Sequence, residues 1–213
     1  MLGRLAGQFR LITRSFPAAR RRYGVVRTMR LVSHELLFDV RHRTDTSLEP
    51  PGCATAHEGT NPLLFAEMLR NTPLATDGRV FVDFGAGKGR VLMLAARHGF
   101  AAAIGVEWSP ELCAIANANI ARFGRRRPCA LSVTCADAGS FAVPTSVTVA
   151  YFFHPFGAET MRAVVERILE SLAEAPRDFY VMYLNPRYAD MFVTAGFDET
   201  GRWHDAVLLS RPR

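Results

Sequence analysis

Val80-Phe-Val-Asp-Phe-Gly-Ala-Gly-Lys-Gly-Arg90 is the stretch from which the rest of the chain can be read. β-Prone residues run into Asp83, glycines follow at alternate positions (Gly85, Gly87, Gly89), and an apolar helical segment begins at Val91. A strand, a glycine turn and a helix start make a cradle for a polar ligand, because glycine lets the backbone approach closely and the first helical N–H groups are unpaired. The spacing narrows the ligand. A dinucleotide fingerprint needs Gly where Arg90 stands, and a phosphate-binding P-loop needs Ser or Thr where Gly89 follows Lys88. What remains is Asp-x-Gly-x-Gly-x-Gly, with a plain connecting turn as the simpler alternative.

Downstream, the pattern repeats as strand, corner and helix. After a helix over 90–98, Ala101–Glu107 reads as a second strand, ending on a carboxylate 22 residues beyond Gly85. In open α/β sheets ligands lie beyond the C-terminal strand ends, and an acid about 20 residues on accepts from ribose hydroxyls. Glu107 suits that role, with two acceptor oxygens for two vicinal hydroxyls. Ser109-Pro110-Glu111 then opens a capped helix. Ala130–Ala136 reads as a third strand closing on Asp137, and Val147–Phe153 as a fourth, apolar throughout as a central parallel strand should be. Acids therefore close three successive strands, at Asp83, Glu107 and Asp137. A long amphipathic helix follows over 159–173, with Met161, Val164, Val165, Ile168, Leu169 and Leu172 on one face. Then come a fifth strand (178–184) with an Asn185-Pro186 corner, a short helix over 187–195, and strand segments at 197–203 and 206–210.

In this form the chain resembles the class I S-adenosylmethionine (SAM)-dependent methyltransferases, through motif I at 80–90 and the ordered strand-end acids up to residue 157. The resemblance implies a three-layer αβα Rossmann-like sheet of about seven strands, the last pair antiparallel. SAM is the implied cofactor. Asp83, Phe84, Gly85, Ala86, Gly87 and Gly89 would surround its methionine end, with Asp83 near the ammonium. Glu107 would take the ribose and Trp108 would pack on the adenine. Asp137 would meet the adenine amine; a turn-forming Asp is its other reading. The corner after the fourth strand faces the methyl group in such enzymes. Amine methyltransferases carry [Asp/Asn]-Pro-Pro-aromatic there, whereas this chain has His154-Pro155-Phe156. His154 either faces the substrate as acceptor, donor or general base, or caps the strand end. Phe156 either shields the methyl cation or belongs to the core. Asn185 either reaches the substrate or only turns the chain. His154, Pro155 and Phe156 form the expected catalytic set. A finer likeness is to small bacterial methyltransferases and to small protein-lysine methyltransferases.

The implied reaction is methyl transfer to an amine of a protein or small molecule, then to a hydroxyl, with RNA third. A catalytically silent SAM-binding partner subunit and a nicotinamide-dependent oxidoreductase are the rivals. The chain has 213 residues, a net charge of +6 and a pI near 9.6. Lys88 is its only lysine, so the basicity is arginine bias rather than a nucleic-acid signal. The mean hydropathy is +0.05, and no apolar run reaches the ~18 residues of a membrane span. Four cysteines show no C-x-x-C pair or metal-ligand spacing, so a zinc site is not expected and reduced thiols in the cytoplasm fit.

Residues 1–59 read as a basic N-terminal extension and 60–213 as the methyltransferase domain. Residues 1–34 hold eight arginines and no acid, and either form a solvated or partner-touching arm or resemble a transit peptide. Residues 35–59 read as irregular, broken by Pro50-Pro51-Gly52. Asn61-Pro62 opens a helix with a cap and an N1 proline. The family often closes such a helix over the cofactor behind a polar loop, here His57, Glu58, Thr60 and Asn61; plain linker is the alternative.

Overall fold

The computed structural model describes residues 20–21, 24–46, 59–72, 74–123, 129–153 and 155–213. Its elements in chain order are α1 (Val25–His42), α2 (Pro62–Arg70), β1 (Val80–Phe84), α3 (Arg90–Arg97), β2 (Ala102–Glu107), α4 (Pro110–Arg122), β3 (Ala130–Cys135), β4 (Val147–Phe153), α5 (Ala158–Glu174), β5 (Phe179–Leu184), α6 (Ala189–Thr194), β6 (Asp198–Trp203) and β7 (Ala206–Arg211). The strands form one sheet in the order β3-β2-β1-β4-β5-β7-β6. β1 pairs in parallel with β2 and β4, β2 with β3, and β4 with β5; β7 runs antiparallel between β5 and β6. Strand order reverses between β1 and β4, so their C-terminal ends flank the crevice where such sheets bind ligands.

Alternation along the central strands divides the core in two. Phe81 joins Phe65, Leu92 and Tyr151 on the side covered by α1, α2 and α3. Val82 and Phe84 join Phe152, Met161 and Ile168 on the side covered by α5. A strand turns successive side chains to opposite faces, so Asp83 shares its face with Phe81 and lies beside Tyr151 of β4.

The N-terminal region departs from the sequence reading. Instead of an arm up to residue 34 followed by irregular chain, one helix runs from Val25 through Glu35 to His42, and Arg43 (φ 55°) closes it in the left-handed conformation. The reason is tertiary. Glu35 and Asp39 face inward against Arg90, an interaction with no signature in local sequence. Arg27 also pairs with Glu67 of α2, Nη2 to Oε2 at 2.6 Å. Asn61 caps α2 as expected, accepting from the Leu63 N–H, and its amide donates to the Leu31 carbonyl of α1. Among the described residues no helix is long and apolar enough to cross a membrane.

Candidate active site

A cleft of about 460 Å³ opens at the C-terminal ends of β1, β2, β3 and β4. Asp83, Gly85 and Ala86 line one part of it, Glu107 and Trp108 the next, and Asp137 and Ala138 the far end. Tyr151, Phe153, Pro155, Phe156, Thr160 and Asn185 also line it, with Tyr151 beside Asp83 and Pro155 against Gly85. The three strand-end acids therefore meet in one cavity.

Asp83 is buried and forms no hydrogen bond among the described residues. Burial first, then the neighbouring Glu107 charge, pushes its carboxyl up to about 8. An unpartnered carboxyl facing a cleft suits a cationic ligand group. Gly85 follows at φ +81°, and a Cβ built there would lie 2.5 Å from Pro155 Cβ. The glycine therefore provides both the left-handed turn and the contact between the β1 loop and the β4 corner.

Glu107 is fixed from two sides. Its Oε2 accepts from the Gly87 N–H at 2.9 Å and its Oε1 from the Ser109 N–H at 3.0 Å. One acceptor position on each oxygen remains for a diol. Trp108 is 76% exposed at the cleft edge. Asp137 forms the turn of its other reading, its Oδ1 accepting from the Ser140 N–H at 3.2 Å to cap a single 3-10 turn, and the residue also lines the cleft.

Other loop positions have structural duties. Phe84 does not face the cleft; its ring stacks on Phe152 at 5.1 Å and 3°, on the opposite face of the strand from Asp83. Gly87 acts through its N–H on Glu107. Gly89 (φ +80°) sits before α3 at the closest approach to α4, where a Cβ would lie 3.2 Å from Ala116 Cβ. Lys88 is buried away from the cleft, its Nζ 3.9 Å from an Asp45 oxygen and its carbonyl accepting from Asn119. Phe156 is half-buried, its ring edge-on to Phe152 at 6.3 Å, so it is a core residue that also walls the cleft. His154, His57 and Glu58 lie outside the described residues.

Several site residues were not evident in the sequence. Arg90, 1% exposed, lines the cleft and is the hub beneath the loop. Its Nε donates to Thr46 Oγ1 (2.7 Å), Nη1 to Glu35 Oε1 (2.5 Å) and Nη2 to the Thr46 carbonyl (2.8 Å). Asn119 of α4 holds the same segment, accepting from the Asp45 N–H and donating to the carbonyls of Asp45 and Lys88. Thr60 Oγ1 and the Tyr151 hydroxyl share a buried 2.7 Å hydrogen bond at the cleft. Burial drives the Tyr151 phenol upward, so it stays protonated. Gly105 of β2 lets the loop seat, since a Cβ there would meet Ala86 at 2.8 Å and Leu92 at 2.9 Å. Only Thr60 had a sequence signal, its place before the α2 cap.

A model of a family described as a methyltransferase domain matches residues 81–175, from β1 through α5. Solved structures of similar fold include an RNA methyltransferase from Salinibacter ruber in complex with S-adenosyl-L-homocysteine, at 20% identity, 73% of this chain, 93% of that chain and TM-score 0.51. The N-methyltransferase NodS from Bradyrhizobium japonicum WM9 is similar at 12% identity, 71% and 96% coverage and TM-score 0.54. The precorrin-6y C5,15-methyltransferase from Geobacter metallireducens GS-15 is similar at 15% identity, 78% and 93% coverage and TM-score 0.55. At these identities the likeness is one of fold. No curated protein matches the sequence.

The fold, one seven-stranded sheet with its last pair antiparallel, is that of the class I methyltransferases. With the family match over β1 to α5, the chain is an S-adenosylmethionine-dependent methyltransferase. Its cofactor is SAM, and the residues present suit it: a buried unpartnered carboxyl, a glycine turn against Pro155, and a carboxylate with two open acceptor positions.

Proposed function

We propose that this methyltransferase acts on an amine nitrogen of a protein or small molecule, at the wall formed by Phe153, Pro155, Phe156, Thr160 and Asn185. Asn185 carries the proposal. It lines the cleft while its backbone is held at φ 54°, fixed by its N–H donating to the Asp205 carbonyl at 2.6 Å and its carbonyl accepting from the Arg187 N–H at 2.9 Å. A non-glycine residue kept in that region directs its side chain at a cost of about 1 kcal/mol or more. The Asn185 amide oxygen accepts an amine N–H, and the Phe156 face stabilises positive charge passing to nitrogen.

On the cofactor side, Asp83 holds the methionine ammonium and Glu107 the ribose hydroxyls. Trp108 covers the adenine and Asp137 accepts from its amine, with Gly85, Ala86, Gly87 and Gly89 shaping the loop and Phe84 contributing backbone. When bound, SAM supplies an already activated methyl group; the chain contributes orientation and exclusion of water. Tyr151, protonated and hydrogen-bonded to Thr60, forms a wall of the site rather than its base. An amine needs only solvent to take its proton. His154, outside the described residues, is the expected base for a hydroxyl acceptor from its place in the sequence beside Pro155.

We assign catalysis to residues 60–213, with 1–59 as an N-terminal extension whose described part braces the loop. A cytoplasmic setting is supported by Cys113, Cys129 and Cys135 being free thiols. The test is methyl transfer from labelled SAM into lysate fractions, with protease or nuclease treatment of the acceptor. Label that is alkali-stable and either protease-sensitive or dialysable supports N-methylation. Nuclease-sensitive label overturns it in favour of RNA, and stoichiometric SAM binding without transfer in favour of a silent subunit. Asn185→Ala should raise the acceptor KM about tenfold, as loss of one good hydrogen bond does, with SAM affinity unchanged.

A further inference from the structure

Among the described residues, seven large hydrophobic side chains stand exposed, and five belong to α1: Val25, Val26, Met29, Leu37 and Val40. At 3.6 residues per turn these five fall within about 120° of arc, interrupted by the exposed hydroxyl of Ser33, whose Oγ donates back to the Arg30 carbonyl; they make an apolar stripe with no partner among the described residues along a helix about 27 Å long. The exposed residues flanking the stripe are Arg30, Arg41 and His34, and Arg43 follows at the helix end. The two acids of α1, Glu35 and Asp39, are turned inward to Arg90. The outward face is therefore apolar with a basic edge and carries no negative charge.

We propose that the outer face of α1 docks on an anionic lipid surface, the helix lying in the plane of the interface. Such helices bury an apolar stripe at the headgroup boundary while arginines on the edge reach anionic headgroups. A second copy of this chain fits poorly, because the face offers no acid to meet its own arginines. RNA fits poorly too, because an aliphatic stripe neither stacks on bases nor pairs with phosphate. The acids that hold Arg90 from inside α1 place the docking face away from the cleft, so docking leaves the cofactor site open. The proposal is independent of the methyl acceptor.

Flotation of the full chain with phosphatidylcholine vesicles, alone or with about one-third phosphatidylglycerol, tests it. The chain should float with the anionic vesicles only. The pair Met29→Gln/Leu37→Gln should weaken binding about tenfold through lost apolar burial. Arg30→Gln/Arg41→Gln should weaken it about fivefold for each arginine. Both variants should retain the thermal shift given by SAM, which reports an intact fold. Absence of flotation overturns the proposal, as does anionic flotation indifferent to Met29→Gln/Leu37→Gln. It is equally overturned if those substitutions instead dissolve a dimer seen by size exclusion, or if the chain binds RNA through Arg30 and Arg41 but not vesicles.

Discussion

Asp83 shows how one position can be costly to the free protein and useful to the complex. Its carboxyl is pushed up to about 8 by burial and by Glu107, so near neutral pH it is protonated before the cofactor arrives. An ammonium docking beside it favours the carboxylate, so SAM binding at pH 7 should release up to one proton. Titration calorimetry in buffers of different ionisation enthalpy measures this; a buffer-independent enthalpy would rule it out. The sign for stability is opposite to that of a salt-bridged carboxylate. Between the unfolded value near 4 and the folded value near 8, the native state holds a proton that the unfolded state has lost. Stability of the free protein therefore falls as pH rises through this window. Asp83→Asn should remove the slope, raise the melting temperature of the free protein by a few degrees at pH 8, and weaken SAM binding. Two residues on, just past the end of β1, Gly85→Ala meets two penalties, the left-handed φ and the Pro155 contact. It should cost about 2 kcal/mol or more and abolish measurable SAM binding, read by denaturation and calorimetry.

At the scale of elements, strands were legible where their local chemistry agreed with their place in the sheet. β4 was bounded correctly by its apolar run, and α2 and α4 by their cap and N1 proline. The inner half of α1 was not legible because nothing local marks it: its acids are held by Arg90, 55 residues from Glu35 in the chain. A buried arginine with buried acids is costly to break from one side. Arg90→Met leaves Glu35 and Asp39 without their partner and should destabilise the protein by about 3–5 kcal/mol. Glu35→Gln keeps an acceptor for Nη1 and should cost clearly less. Denaturant titration measures both, and limited proteolysis should find new cleavage within α1 of Arg90→Met. Equal stability of Arg90→Met and wild type would refute the brace.

For the whole molecule, the gathering of the strand ends was more legible than the N-terminal helix, and the reason is physical. A parallel sheet gathers its strand ends at one edge, so acids at residues 83, 107 and 137 could be placed in one cleft from their order alone. Which side of a strand a residue faces depends on register, which is why Phe84 was counted with the ligand loop although its ring belongs to the α5 side of the core. Thr46 meets Arg90, and Thr60 meets Tyr151, only through tertiary packing, and neither pairing had a sequence signal. On the proposed function, the same gathering links cofactor binding to global stability, because the glycine loop after β1 and the start of α3 contact α4, the β4 corner and the segment after α1. A ligand present at a hundred times its Kd should stabilise the fold by about 2.7 kcal/mol. SAM and its demethylated product should therefore raise the melting temperature by several degrees, while NAD should leave it unchanged. Glu107→Ala orphans the Gly87 and Ser109 N–H groups and, on the proposed function, removes the acceptor for the two ribose hydroxyls. Loss of hydrogen bonds to a charged group weakens SAM binding about tenfold to a hundredfold. The thermal shift of Glu107→Ala at fixed SAM should shrink accordingly, and a shift equal to wild type would remove Glu107 from the ribose site.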